Sequence, residues 1–181
     1  MIRKIFFIIL FLILFTVICS AQKEFKSSYF KIHLYKGVDI LDLTKKLDIS
    51  SGYLLGSYPL DNAEIMLTRI IDAIFLETSD ILGIHLPTFK GEIKIFYNYE
   101  ELKNLFREIF ERELNTFSFY MATTNTIYID AQNIKPEILA HEMAHALISR
   151  YFVVLPPPKL QEILAKYVEY KIRKLSQVCV E

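Results

Sequence analysis

Two histidines and a glutamate stand at a spacing suited to metal chemistry within Lys135–Arg150, where residues 141–145 are His-Glu-Met-Ala-His. On a helix, residues four apart lie about one turn apart on the same face, so His141 and His145 can both reach one metal ion. Glu142 is rotated by about 100° from His141, so we expect it to hold a water molecule beside the metal rather than to bind the metal. Zinc suits this set, because catalytic zinc sites use two histidines and a carboxylate and leave one position open for water.

The alternative is an ordinary amphipathic helix that carries two incidental histidines. The surroundings favour a metal site, because Pro136 suits the first turn of a helix and apolar residues lie on nearly all sides of the predicted helix. Such a helix is normally buried, and buried imidazole and carboxylate groups need partners, which a metal ion supplies. The apolar residues are Ile134, Ile138 and Ile148 on the histidine face and Leu139, Met143, Ala146 and Leu147 on the other.

A catalytic zinc site uses a third protein ligand, and the next predicted helix, about residues 159–175, offers Glu162. Pro158 suits the first position of this helix. Glu162 and Glu169 are then expected to project together, about two turns apart, with Glu162 as the ligand and Glu169 beside the ligands or as the substitute. The alternative for each is a solvated charge on the helix surface. We expect the core-facing stripe of this helix to be formed by Leu160, Ile163, Leu164, Tyr167 and Val168.

With Glu162 seventeen residues beyond His145, the pattern resembles the gluzincin metallopeptidases. The likeness is closest to the small peptidase MA-like domains, whose later helix is roughly W-L-x-E-G-x-A-x-Y. Residues 159–167 are K-L-Q-E-I-L-A-K-Y. The leucine, glutamate, alanine and tyrosine match, whereas a lysine and an isoleucine replace the tryptophan and the glycine of the family.

The resemblance covers about residues 90–175, and it implies a zinc-dependent metallopeptidase. It implies His141 and His145 as zinc ligands, Glu142 as the catalytic base and Glu162 as the third ligand. It also implies a minimal zincin-like α+β domain, in which a small mixed sheet packs on a long helix and the histidine helix is followed by a ligand helix.

Peptide hydrolysis usually needs a further hydrogen-bond donor for the developing oxyanion. The candidates are Tyr120, Arg150, Tyr167 and Tyr170, and the family resemblance favours Tyr167 as a catalytic residue. A tyrosine on a core-facing stripe is more often a packing residue. By analogy with other peptide-binding sheets, the predicted strand 117–121 could be the edge along which an extended peptide lies.

Hydrophobic periodicity predicts the elements that must position these residues. Strands are expected at residues 29–35, 92–97, 117–121 and 126–130, and helices at 39–47, 61–82, 100–114, the histidine segment and 159–175. Strands with a pair of helices at the end indicate a single α+β domain over residues 22–181. The other histidines, His33 and His85, are expected to be structural.

The first residues have the pattern of a secretory signal peptide: Arg3 and Lys4, then the apolar run Ile5–Ile18, then small residues. We expect cleavage after Ala21 and an exported protein. Two alternatives are retention of the run as a membrane anchor and lipid attachment at Cys19.

Removal of residues 1–21 takes Arg3 and Lys4 from the 21 basic residues, which leaves 19 against 21 acidic residues and a net charge of −2. The sequence contains no basic stripe of the kind that would indicate a nucleic-acid partner. The mature chain keeps only Cys179, which excludes an internal disulfide. We therefore expect an exported monomer whose substrate is a peptide or protein.

A rival hypothesis is a metal-stabilised binding or accessory protein of the cell envelope that holds zinc but performs no reaction. Glu142 argues against it, because a purely structural zinc site has no use for a base at that position. A second rival is an anchored structural domain without a metal.

Overall fold

Five strands form one mixed sheet in the computed structural model, which describes residues 23–54 and 62–177. The order in the sheet is β1-β2-β3-β5-β4. Strands β2, β3 and β5 are parallel, whereas β1 and β4 are antiparallel to their neighbours and form the two edges. The strands are β1 (Lys23–Lys26), β2 (Phe30–Leu34), β3 (Gly91–Phe96), β4 (Ser118–Met121) and β5 (Thr126–Asp130).

Five α-helices accompany the sheet in the described part of the chain, with a single 3₁₀ turn at Gly52–Leu54. The α+β class predicted from the sequence is therefore confirmed. The edge strand β1 was not predicted, because Lys-Glu-Phe-Lys contains only one apolar residue and so shows no alternation of apolar and polar residues. The helices are α1 (Ile40–Lys46), α2 (Ala63–Leu82), α3 (Tyr99–Phe110), α4 (Pro136–Tyr151) and α5 (Pro158–Gln177).

The ends of the helices follow from local chemistry. Asn62 begins α2, because its side-chain oxygen accepts hydrogen bonds from the backbone N–H groups of Glu64 and Ile65. Gly83 ends the helix in the left-handed conformation, with φ of 65°. Helix α3 ends at Phe110 rather than at the predicted residue 114, because Glu111 adopts the left-handed conformation.

The main core lies between one face of the sheet and helices α2, α4 and α5. In the three parallel strands, Ile32, Ile93 and Ile127 are fully buried and stand side by side in register. Such β-branched residues fit the pleated face of a sheet that is covered by helices. Helix α4 packs on α5, on α2 and on strand β4, so it lies at the centre of this layer.

The opposite face of the sheet carries a second, smaller apolar cluster beneath α3. Phe96, Leu102, Leu114 and Tyr128 are its buried members. Helices α3 and α4 therefore cover opposite faces of the sheet.

The predicted signal peptide, residues 1–21, lies outside the described residues, as does the segment 55–61. Within residues 23–54 and 62–177, no helix has both the length and the apolar character needed to cross a bilayer.

Candidate metal centre

A short turn between β5 and α4 sets the start of the histidine helix. Asp130 is fully buried at the end of β5, and its carboxylate accepts hydrogen bonds from the backbone N–H groups of Gln132 and Asn133, each at 2.9 Å. Pro136 then occupies the first turn of α4, where its missing N–H costs nothing. Because β5 is paired on both sides, this turn gives α4 a fixed starting point.

Three side chains from α4 and α5 converge in the structure. The Nε2 atoms of His141 and His145 face each other at 3.2 Å. The two carboxylate oxygens of Glu162 lie 3.3 Å from Nε2 of His145 and 3.7 Å from Nε2 of His141. In a tetrahedral zinc site with bonds of about 2.0–2.1 Å, neighbouring ligand atoms are about 3.3 Å apart. The group could therefore hold a metal ion, because one ligand atom from each of the three residues lies within 4.8 Å of the other two.

The protonation chemistry of His145 also fits a metal. Burial, and then the neighbouring His141 imidazole, lower the pKa of His145, while the Glu162 carboxylate acts in the opposite direction. A lower pKa favours the neutral imidazole, which is the form that binds a metal. Two neutral imidazoles and one carboxylate are a common donor set for catalytic zinc.

The far side of the His141 ring faces a second carboxylate. Its Nδ1 atom is buried, and no hydrogen bond to it is formed within residues 23–54 and 62–177. The Glu169 carboxylate, two turns beyond Glu162 on α5, lies 3.4 Å from this Nδ1 atom. The same carboxylate forms an ion pair with Arg173. A small rotation of either group would let Nδ1–H donate to this carboxylate, which would leave the Nε2 lone pair available to a bound metal ion.

If the three-residue group binds zinc, replacing Glu169 by Gln is expected to weaken that binding by about 10- to 100-fold, the usual cost of losing a carboxylate that orients a histidine ligand. Competition with a chromophoric chelator measures this change. Arg173→Gln is the matched control, because it removes the partner of Glu169 but leaves the carboxylate beside His141. An unchanged zinc affinity in the Glu169 variant would show that this carboxylate does not support the ligand.

Glu142 lies beside the three-residue group and is almost fully buried. Its carboxylate accepts a hydrogen bond of 2.7 Å from the Ser118 hydroxyl on β4. Burial raises the pKa of Glu142 to about 7, and Glu162 adds to this increase, whereas hydrogen bonds from the Ser118 hydroxyl and the Tyr120 backbone N–H oppose it. The role of Ser118 was not predicted from the sequence. Its partner, Glu142, lies 24 residues later in the chain, and nothing in the short strand indicates this contact.

An open cleft of about 460 Å³ is lined by these groups. The edge strand β4 forms one wall, and the start of α5 forms another. A wider cleft of about 670 Å³ beside residues 34–40 has no histidine or cysteine among its lining residues. The lining residues of the first cleft are Thr116, Ser118, Phe119, Tyr120, Ala122, His141, Glu142, His145, Gln161 and Glu162.

No family model, curated protein or solved structure matches this chain. Its function is therefore inferred from the side chains of the cleft and from their geometry.

The four candidate oxyanion donors take different places. Tyr120 lines the cleft, but its hydroxyl is already bonded to Asn125 at 2.8 Å and to Ser149 at 2.7 Å. Arg150 donates to the carbonyl of Ala122. Tyr167 and Tyr170 are half-exposed on α5 and are not among the residues that line the cleft. The cleft that holds His141, His145 and Glu162 therefore does not have Tyr167 among its lining residues.

The core stripe predicted for α5 is wrong in three of its five residues. Leu160, Ile163 and Tyr167 are exposed, and the buried residues of the helix are Ala165, Val168 and Ile172. The helix carries apolar residues on two sides, and the small side chain of Ala165 allows the close approach of α4. The stripe with the larger side chains was predicted to face the core, but it faces solvent.

The remaining described histidines, His33 and His85, lie apart from His141, His145 and Glu162. His33 stands on the α3 side of the sheet, with its ring nitrogens 3.3 Å from Glu24 and 3.5 Å from Glu92. His85 follows α2, and its Nδ1 lies 3.2 Å from the Ser79 hydroxyl.

Proposed function

We propose that this protein is a zinc-dependent metallopeptidase of the gluzincin type, with a minimal zincin-like domain. The observation that carries the proposal is the meeting of His141, His145 and Glu162 from two neighbouring helices, with the buried carboxylate of Glu142 beside them in an open cleft. A structural zinc site has four protein ligands and no open position. Three ligands that leave one position open, with a further buried carboxylate beside them, instead suit hydrolysis.

In this proposal His141, His145 and Glu162 hold the zinc ion, which would polarise a carbonyl oxygen and lower the pKa of water from about 16 towards 7. Glu142 accepts the proton from the attacking water and returns it to the departing amine. Ser118 keeps the Glu142 carboxylate in one orientation through its hydrogen bond. Glu169 orients the His141 ring from the opposite side.

The proposed substrate is a peptide or protein in an extended conformation. Strand β4 is an edge of the sheet and also lines the cleft, so an extended chain can add to it through backbone hydrogen bonds. A peptide bond placed in this way would pass over the three ligands and Glu142. The position of β4 supports this proposal, because a peptide can reach the metal group without any opening of the core.

Zinc content and peptide cleavage test the proposed function together. We expect one zinc ion per chain, cleavage of a mixed peptide library followed by mass spectrometry, loss of cleavage with a chelator, and recovery when zinc is restored. Cleavage that persists in chelator after the zinc has been removed would overturn the proposal.

The second candidate function is a metal-stabilised accessory protein without catalytic turnover. The lack of an available oxyanion donor among the candidate residues favours it. The Tyr120 hydroxyl already forms two hydrogen bonds, and Tyr167 does not line the cleft. This candidate predicts that zinc raises the Tm while no peptide of the library is cleaved.

We further propose that the chain is exported, with residues 1–21 as its signal peptide. N-terminal sequencing of the protein recovered from the producing cells distinguishes cleavage after Ala21 from retention or from lipid attachment at Cys19.

A further inference from the structure

The segment between α4 and α5 exposes an unusual run of apolar residues. Residues 152–155 are Phe-Val-Val-Leu, and all four are exposed. Val153 is fully exposed and Val154 is 83% exposed. Loops at a protein surface are normally polar, and exposed apolar surface of this kind marks a site of interaction.

The apolar surface continues on the outer side of α5. Leu160, Ile163, Tyr167 and Tyr170 are all exposed, and their spacing of three, four and three residues places them on one stripe. At about 100° per residue they lie within an arc of roughly 80°. This arc is roughly opposite to the buried residues of the helix, so the stripe makes no contribution to the core of the domain.

Lysines border the stripe. Lys159 and Lys166 lie on one side of it and Lys171 on the other, while Lys174 lies within it. The Nζ atoms of Lys171 and Lys174 lie over the rings of Tyr167 and Tyr170, at 5.7 Å and 4.6 Å from the ring centres.

The two acidic residues of α5 lie outside the stripe. Glu162 and Glu169 point towards the histidines on α4. The exposed side of the helix is therefore apolar and positively charged, without a carboxylate of its own.

We propose that this surface, the segment 152–155 together with the exposed stripe of α5, docks onto an anionic phospholipid bilayer. A helix with an apolar face bordered by lysines lies in the headgroup region of such a membrane. Tyrosine is enriched at this depth, because its ring is apolar and its hydroxyl is polar. The exposed side of the helix has no carboxylate to pair with its four lysines, and anionic headgroups supply that negative charge.

A second copy of the chain fits the same surface less well. Two copies docked through their stripes would bring the lysines of both copies close together with no carboxylate of the stripe between them, which is unfavourable. The docking proposal goes beyond the proposed peptidase function and does not depend on it.

Docking in this way would fix the position of the metal group relative to the membrane. Glu162 lies on the same helix, rotated by about 120° from the centre of the stripe, so the bilayer and the cleft would be separated by no more than about one helix diameter, on the order of 10 Å. The substrates most accessible to the cleft would then be segments close to the membrane surface.

Environment-sensitive fluorescence on the full chain tests this surface directly. Val153→Cys is labelled with a polarity-sensitive fluorophore after Cys19 and Cys179 are replaced by Ser. Addition of vesicles of phosphatidylglycerol and phosphatidylcholine is expected to shift the emission to the blue and to protect the label from an aqueous quencher. The same label at Glu108→Cys on α3, on the other face of the sheet, is expected to stay in water. This comparison holds even if the N-terminal segment itself attaches the chain to the vesicle.

A double variant shows whether the stripe is responsible. Leu160→Glu with Ile163→Glu is expected to abolish the shift of the Val153 label. Leu41→Glu with Ile109→Glu is the matched control, because these residues are also exposed but lie on α1 and α3. The shift should be retained in this control, and circular dichroism should show all variants folded.

Three results would overturn the docking proposal. The first is a Val153 label that stays exposed to the quencher on anionic vesicles. The second is an equal shift on vesicles of phosphatidylcholine alone, which would remove the role of the lysines. The third is a dimer in the absence of lipid that becomes monomeric in the Leu160 and Ile163 double variant, which would assign the surface to a second copy. Because each measurement can be made without metal, failure here leaves the peptidase proposal untouched.

Discussion

Replacing Glu142 by Gln is expected to lower kcat/KM for peptide cleavage by about 10²- to 10⁴-fold, the usual contribution of a positioned general base. The amide has nearly the same size and can still accept the hydrogen bond from Ser118, but it cannot take a proton from water. The domain should fold normally, because Gln at this buried position carries no charge that would need a partner. Zinc binding should also persist, since Glu142 is not one of the three converging ligands.

Zinc content and the Tm of the Glu142 variant decide whether a loss of cleavage has this cause. The matched control is Glu77→Gln on α2, because Glu77 also accepts a hydrogen bond of 2.7 Å from a serine hydroxyl, that of Ser51. This control should cleave peptides like the unaltered protein. Full activity in the Glu142 variant would remove the proposed mechanism.

Replacing Glu162 by Ala is expected to weaken zinc binding by more than about 100-fold, because losing a direct ligand costs more than losing a residue that only orients one. The remaining imidazoles of His141 and His145 would offer zinc only two protein ligands, fewer than catalytic zinc sites normally use. The Glu162 side chain is 54% exposed, so its removal should leave no cavity in the core. Metal analysis after dialysis measures the loss directly.

Glu108→Ala is the control for Glu162, since Glu108 is an exposed glutamate on α3, away from the cleft. It should keep the zinc content of the unaltered protein. A Glu162 variant that keeps stoichiometric zinc through dialysis would show that another group acts as the third ligand, or that the metal binds elsewhere.

Local patterns in the sequence predict most elements of this domain. Alternating isoleucines indicate strands β3 and β5, and Asn62 and Gly83 bracket α2 through chemistry that depends only on neighbouring residues. The strand β1 has no such pattern. Its place in the sheet depends instead on pairing with β2 across the following turn, which its own four residues do not indicate.

Helix α5 shows most clearly where local patterns are insufficient. It has apolar residues on two sides, and both stripes have helical spacing. The packing of α4 selects the side with Ala165, Val168 and Ile172, because small and branched side chains allow the two helices to approach closely. No feature of the segment itself distinguishes this side from the stripe with Leu160 and Tyr167.

The sequence by itself determined that His141 and His145 share one face of a helix, because a period of 3.6 residues per turn brings positions four apart together in any α-helix. Only the tertiary structure decided that Glu162 reaches both rings, that Ser118 bonds to Glu142 and that Tyr167 lies away from the cleft. These relations join different elements, and their distances are set by the packing of α4 against α5 and β4 rather than by the spacing of residues along one helix.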